Sequence, residues 1–166
     1  MIEVFAADEQ SDEPVETMRW VRLAQDVLVA EGVKGDAELS MLFVDETAIA
    51  DLNKRFRGDD GSTDVLAFPI DEQLVESGRS PDSGGSGPGV TPPEPAEAPV
   101  MLGDVVVCPT VARRNAESKS ASVDDEMALL VVHGLLHLLG MDHVDDAEAS
   151  TMQQRERDLL GRFHTS

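Results

Sequence analysis

Three of the four histidines in this 166-residue chain fall within eleven residues, "HGLLHLLGMDH", positions 133–143. On a helix, positions i and i+4 share a face, so His133 and His137 point the same way, one turn apart. Gly140 suits the left-handed conformation that ends a helix, which lets the chain turn and return His143 to the same point. Three imidazoles leave one tetrahedral position of a zinc ion open for water. Catalytic zinc sites are built that way, whereas structural ones are closed by four protein ligands. An i, i+4 pair alone is as readily two core histidines. The third histidine behind a glycine break shifts the reading to one zinc ion per chain.

A group of zinc proteases has the same spacing with a glutamate after the first histidine. That glutamate takes a proton from the zinc-bound water and passes it to the leaving amine. Here the position is Gly134, which can do neither. Asp142 is the nearest replacement, yet a carboxylate there serves equally to orient a ligand histidine or to shape the turn. Ordinary peptide hydrolysis is therefore disfavoured. Cleavage of an RNA phosphodiester, with its better leaving group, needs less general-base help.

The elements that must position these residues follow from pattern. "IEVF" reads as a strand, and a helix from about Val15 to Glu31 carries Val15, Met18, Val21, Ala24 and Leu28 at helical spacing, with Gly32 ending it. "ELSMLFV" is a strand. Asp45 caps a short helix with Ile49, Leu52 and Phe56 on one face, and "TDVLAFP" is a further strand. "GDVVVCP" has the continuous apolar character of a buried strand, followed by a helix from about Thr110 to Ser118. Ser122 and Asp125 resemble a capping box opening "VDDEMALLVVHGLLHLL", whose all-round hydrophobicity predicts a central core helix. Asp145 and Glu148 repeat that pattern before a last helix with Met152, Leu159, Leu160 and Phe163. The expected fold is α+β: one domain spanning 1–166, a small mixed sheet surrounded by helices, and the metal site on the central apolar helix.

Residues 75–99 interrupt this domain with a Gly-, Ser- and Pro-rich stretch that has almost no core-forming side chains, and it reads as a flexible acidic loop. Between Asp71 and Pro99 six acids face one base, so the loop supplies about −5 of the net charge of −20. That acidity repels nucleic acid globally. An RNA substrate would have to rely on a local basic cleft, the metal or a protein partner. No apolar run approaches the ~20 residues needed to cross a bilayer. The N-terminus lacks the features of an export signal, and the single cysteine, Cys108, reads as a buried small residue in a reducing cytosol. The expectation is a cytoplasmic protein with no membrane contact. No platform for stacking bases is visible: the chain has no tyrosine and one tryptophan, and its phenylalanines fall at core-like positions. His164, Arg113 and Arg114 read as surface residues. Thr63 and Asp64 read as strand entry, with a part in a cleft as the alternative.

The eleven-residue stretch fits H-G-x-L-H-L-x-G-x-D-H and resembles the YbeY family of bacterial rRNA maturation factors, metal-dependent endoribonucleases. "LNKRFRGDDGSTDVLAFP" (Leu52 to Pro69) and "LGDVVVCP" (Leu102 to Pro109) are similar to two further segments of that family, in the same order. Departures are Ala67, where the family usually has serine, and the long insertion between these segments. The resemblance implies an α+β fold, His133, His137 and His143 as zinc ligands, and Arg57 as the arginine near the metal. It also implies cleavage of single-stranded RNA in maturation of the 3′ end of small-subunit (16S) rRNA and in late ribosome quality control. The implied partners are rRNA and the ribosomal small subunit, with ribosomal proteins or assembly factors beside them. Taken alone, Arg57 in "KRFRG" is either a solvated helix end or a guanidinium able to hold a phosphate with two hydrogen bonds. Two rivals stay open: a zinc hydrolase or protease on another substrate, and a ribosome-assembly binding factor with a structural metal.

Overall fold

A computed structural model describes residues 2–69, 100–140 and 146–164. Its elements are β1 (Ile2–Asp8), α1 (Thr17–Ala30), β2 (Ala37–Phe43), α2 (Glu46–Arg57), β3 (Val65–Pro69), β4 (Val100–Val107), α3 (Pro109–Lys119), α4 (Val123–Leu138) and α5 (Asp146–Phe163). The strands form one sheet in the order β1-β2-β4-β3. The first three run parallel, and β3 lies antiparallel to β4. This is the expected mixed α+β architecture. The 75–99 segment lies outside the described residues.

Alternation along β3 and β4 sends Val65, Ala67, Val105 and Val107 to one face of the sheet and Leu66, Phe68 and Val106 to the other. The first face meets the main core, where α4 contributes Val131, Leu135 and Leu138, α1 contributes Trp20, Leu23 and Val27, and α5 contributes Met152 and Leu159. The second face meets a smaller cluster with Ile49 of α2, Cys108 and Val111. Cys108 is fully buried, as its pattern suggested, and burial pushes its thiol above the ordinary range.

Helix α1 buries Val21, Ala24 and Leu28 as expected and departs from expectation at Met18. Met18 is 60% exposed, and the buried set is Trp20, Val21, Leu23, Ala24, Val27 and Leu28. Trp20 and Leu23 bring more apolar area to the core than Met18 would, and Val15, just ahead of the helix, packs partly on that core. Helix α2 starts as predicted, with the Ala48 amide donating to Asp45 Oδ1 at 2.8 Å, and ends on Gly58 at φ 75°.

On β4, Glu38 pairs with Met101 and the next residue, Leu39, with Gly103, so Leu102 is the extra residue of a bulge. Gly103 has φ 131°, and a Cβ there would lie 2.2 Å from the Phe68 carbonyl oxygen and 2.9 Å from Leu138 Cδ1. Only a residue without a side chain lets β3, β4 and the end of α4 close on one another here.

Half of the predicted capping box forms. The Asp125 amide donates to Ser122 Oγ at 3.0 Å. The Asp125 carboxylate, however, takes His164 Nε2 at 2.8 Å, and the His164 side chain is only 10% exposed. His164 is therefore a tie between the end of α5 and the first turn of α4, where a plain surface residue was expected. The hydrogen bond from His164, then that involving Ser122, holds the Asp125 carboxyl below its usual range. A carboxyl whose folded pKa is depressed adds stability above the unfolded value of ~3.9 and loses it as pH falls through the folded value. Asp125→Asn should thus melt a few degrees lower at neutral pH, a deficit that shrinks on acidification. An equal deficit at all pH values would assign it to shape rather than charge.

Candidate metal and phosphate cleft

The last turns of α4 carry His133 and His137 into a cleft of about 520 Å³, bounded by β3, the end of α2 and Gly140. The two Nε2 atoms lie 3.1 Å apart, with ring centroids at 4.6 Å and planes at 72°. Zn–N distances of 2.0–2.1 Å in a tetrahedron imply ~3.3 Å between ligand nitrogens. The pair therefore converges as two ligands of one ion would. Gly140 has φ 100°, the left-handed stop the spacing required. His143 and Asp142 lie outside the described residues. Among the described residues no group of three His, Cys, Asp or Glu side chains is placed to hold a metal.

His133 is fixed from behind. Its Nδ1 lies 2.5 Å from Oε2 of Glu156 on α5, and the Glu156 side chain is only 9% exposed. A carboxylate accepts here, so Nδ1 carries the proton and the Nε2 lone pair is directed towards His137. This back-up of an imidazole by a carboxylate is the usual support of a metal-binding histidine, and the donor set fits a zinc ion.

At Gly134 a Cβ would lie 2.8 Å from Val105 Cγ1 and 3.1 Å from Val65 Cγ2. The residue that replaces the protease glutamate is thus also where α4 presses on β3 and β4. The position lacks both a catalytic carboxylate and the room for one.

Arg57 reaches the same cleft from the last turn of α2. Its side chain is 63% exposed, and its Nε lies 3.7 Å from Asp59 Oδ2. Such an exposed pair contributes little and yields readily to a phosphate. The loop after Arg57 is pinned by the buried Asn53, whose Nδ2 donates to the Gly61 carbonyl at 3.1 Å. Asp64 borders the cleft, but its carboxylate is engaged. Oδ1 accepts from the Val65 amide at 2.8 Å and Oδ2 from Asn115 Nδ2 at 3.2 Å, so strand entry is its main work. Arg113 and Arg114 make surface pairs with Glu13 and Glu46. A larger hollow of about 810 Å³ between the start of α1 and the end of α5 has a single histidine, His164, in its lining.

The sequence profile of the family described as Endoribonuclease YbeY matches residues 5–164 of this chain. The chain belongs to that family. Among its relatives, the endoribonuclease YbeY of Salinispora tropica is 41% identical over 157 residues, covering 95% of this chain and 94% of that one. The protein of the same name from Thermobifida fusca is 41% identical over 157 residues, covering 95% and 92%. The solution structure of TM1509 from Thermotoga maritima aligns with a TM-score of 0.54 at 24% identity, covering 98% of this chain and 91% of that one, a likeness of fold. No helix of the described residues is long and apolar enough to cross a membrane.

Two residues of this YbeY-family site escaped the sequence reading. Glu156 and Asn53 are polar residues on the inward faces of their helices. Met152, Glu156 and Leu159 follow i, i+4, i+7 on α5, all buried, and Asn53 sits one turn after the buried Ile49. A polar residue inside an apolar stripe was the available signal, because a buried polar group needs a partner.

Proposed function

We infer that this protein is a zinc-dependent, single-strand-specific endoribonuclease of the cytoplasm, acting in maturation of the 3′ end of 16S rRNA and in late ribosome quality control. Its proposed partners are rRNA and the small subunit, with ribosomal proteins or assembly factors. The observation that carries the reading is the convergence of the His133 and His137 Nε2 atoms, 3.1 Å apart, in a cleft that Arg57 also borders, in a chain of this family.

His133, His137 and His143 would hold the ion, His143 on the strength of its spacing. When bound, zinc supplies Lewis acidity that lowers the pKa of a water and polarises a phosphoryl oxygen. Glu156 keeps the His133 proton on Nδ1 and the ring in place. Arg57 donates hydrogen bonds to the phosphate oxygens that gain charge in the transition state. Gly134 leaves no general base at the protease position, which sets a peptide substrate aside.

The test is digestion of single-stranded and duplex RNA by the purified protein, with and without a chelator, and after zinc is restored. Elemental analysis should find about one zinc per chain in a site of this kind. Cleavage confined to single strands, lost on chelation and recovered with zinc, is expected. Cleavage that survives full zinc removal would overturn the reading, and zinc binding without cleavage would favour an assembly factor with a structural metal. Glu156→Gln should weaken zinc ~10- to 100-fold, as loss of such a supporting carboxylate does. Unchanged zinc affinity would reduce Glu156 to a packing residue.

A further inference from the structure

The phenylalanines are not all core residues. Phe56, in the last turn of α2, is 62% exposed, although Ile49 on the same side of the helix is fully buried. Helix α2 outruns the cluster it packs on, so its last apolar side chain emerges past the sheet. Its ring meets that of Phe68 edge to face, with centroids 5.3 Å apart and planes at 65°. The Arg55 guanidinium lies 5.8 Å from the Phe56 ring centre, and Arg57 is its neighbour in sequence. Phe5, the other open phenylalanine, lies in a hollow on β1 with Glu3 and Gln25 and no cation among its lining.

The Phe56–Phe68 pair adjoins the cleft. Arg57 borders the cleft, and so do Ala67 and Pro69, the residues on either side of Phe68. Among the described residues β3 is an edge of the sheet. The ring pair and the histidines therefore lie on opposite sides of one short strand, and Arg57, next to Phe56 in sequence, borders the histidines' cleft.

We propose that Phe56 is a nucleobase-stacking subsite at the rim of the cleft, holding an unpaired base of single-stranded RNA whose phosphates meet Arg57. The proposal rests on the endoribonuclease reading and deepens it. Every base has a π-face, so a bare aromatic ring beside cations binds single strands with little regard to sequence. In a duplex the base faces are covered by their neighbours, so such a subsite favours unpaired RNA. Lys54, Arg55 and Arg57 flank Phe56 in sequence in a chain whose net charge is −20, with the Arg55 guanidinium over its ring. Their carboxylate partners Asp60, Asp51 and Asp59 lie 4.0, 3.4 and 3.7 Å away on the exposed surface, contacts weak enough to exchange for phosphates.

The experiment measures KM, kcat and equilibrium binding of a fluorescent single-stranded oligoribonucleotide by the zinc-loaded full chain. Phe56→Ala should weaken binding and raise KM by roughly 5- to 100-fold, the range for loss of one stacked base, with kcat little changed. Phe56→Trp should restore binding, whereas Phe56→Leu, which still packs on Phe68, should not. Abasic nucleotides placed one at a time should abolish the difference between wild type and Phe56→Ala at one position. Equal binding by Phe56→Ala, or rescue by leucine as good as by tryptophan, would overturn the subsite while leaving the nuclease intact. A wild type that binds no single-stranded RNA would overturn both.

Discussion

Gly134→Glu, which would complete the zinc-protease pattern, should cripple the fold rather than create a protease. Already Gly134→Ala sets a Cβ 2.8 Å from Val105 Cγ1 and 3.1 Å from Val65 Cγ2. Both neighbours are short β-branched side chains, and Val105 is fully buried, so neither swings aside cheaply. Overpacking on this scale costs ~1–3 kcal/mol, or about 2–12 °C of melting temperature in a chain of this size. Glutamate adds a carboxylate on the helix face that presses against the sheet, and burying a charge without a partner costs several kcal/mol more. The expected results are a clearly lowered melting transition for Gly134→Ala and little or no folded Gly134→Glu by circular dichroism. A Gly134→Glu protein that melts with the wild type would show that α4 can lift off the sheet. One that also cleaved peptides would show that chemistry, not packing, keeps glycine there.

What the sequence made legible was local, and what it hid was tertiary. The stops and caps at Gly32, Asp45, Ser122 and Gly140 depend on the chemistry of one residue and its near neighbours. They stand in the structure where pattern put them. The i, i+4 histidines converge because helical geometry alone brings them together. Glu156 reaches His133 from 23 residues away and His164 reaches Asp125 from 39. No spacing rule announces such a pair, only the oddity of a polar residue on a buried face. Phe56 misled for the opposite reason. Its period is right for the core, but periodicity cannot say where the core ends. On α1 the expected Val21, Ala24 and Leu28 are buried; Met18 is not, and Trp20, Leu23 and Val27, which keep helical spacing of their own, widen the buried face. His143 and the 75–99 segment lie outside the described residues, so the third proposed ligand rests on sequence spacing.

His137→Ala and Arg57→Ala should divide the proposed site into its metal and phosphate halves. His137 presents Nε2 3.1 Å from that of His133, so removing it takes away one of three proposed ligands. Zinc and RNA cleavage should then be lost together. Arg57 is mostly exposed and makes a loose pair with Asp59. Its removal should leave both the zinc content and the melting temperature as in the wild type. Yet cleavage should fall ~10²-fold or more, the scale for removing one donor that stabilises transition-state charge. The fall should lie in kcat, because the contact tightens as the phosphate gains charge. Arg57→Lys should recover only part of it, since an ammonium cannot reproduce the two-pronged contact of a guanidinium. Arg57→Ala cleaving at the wild-type rate would make Arg57 a surface charge on a helix end. Loss of zinc in the same variant would instead make it a residue that shapes the metal site. The proposed division of labour predicts neither: the histidines and Glu156 set metal content, and Arg57 sets the rate at constant metal.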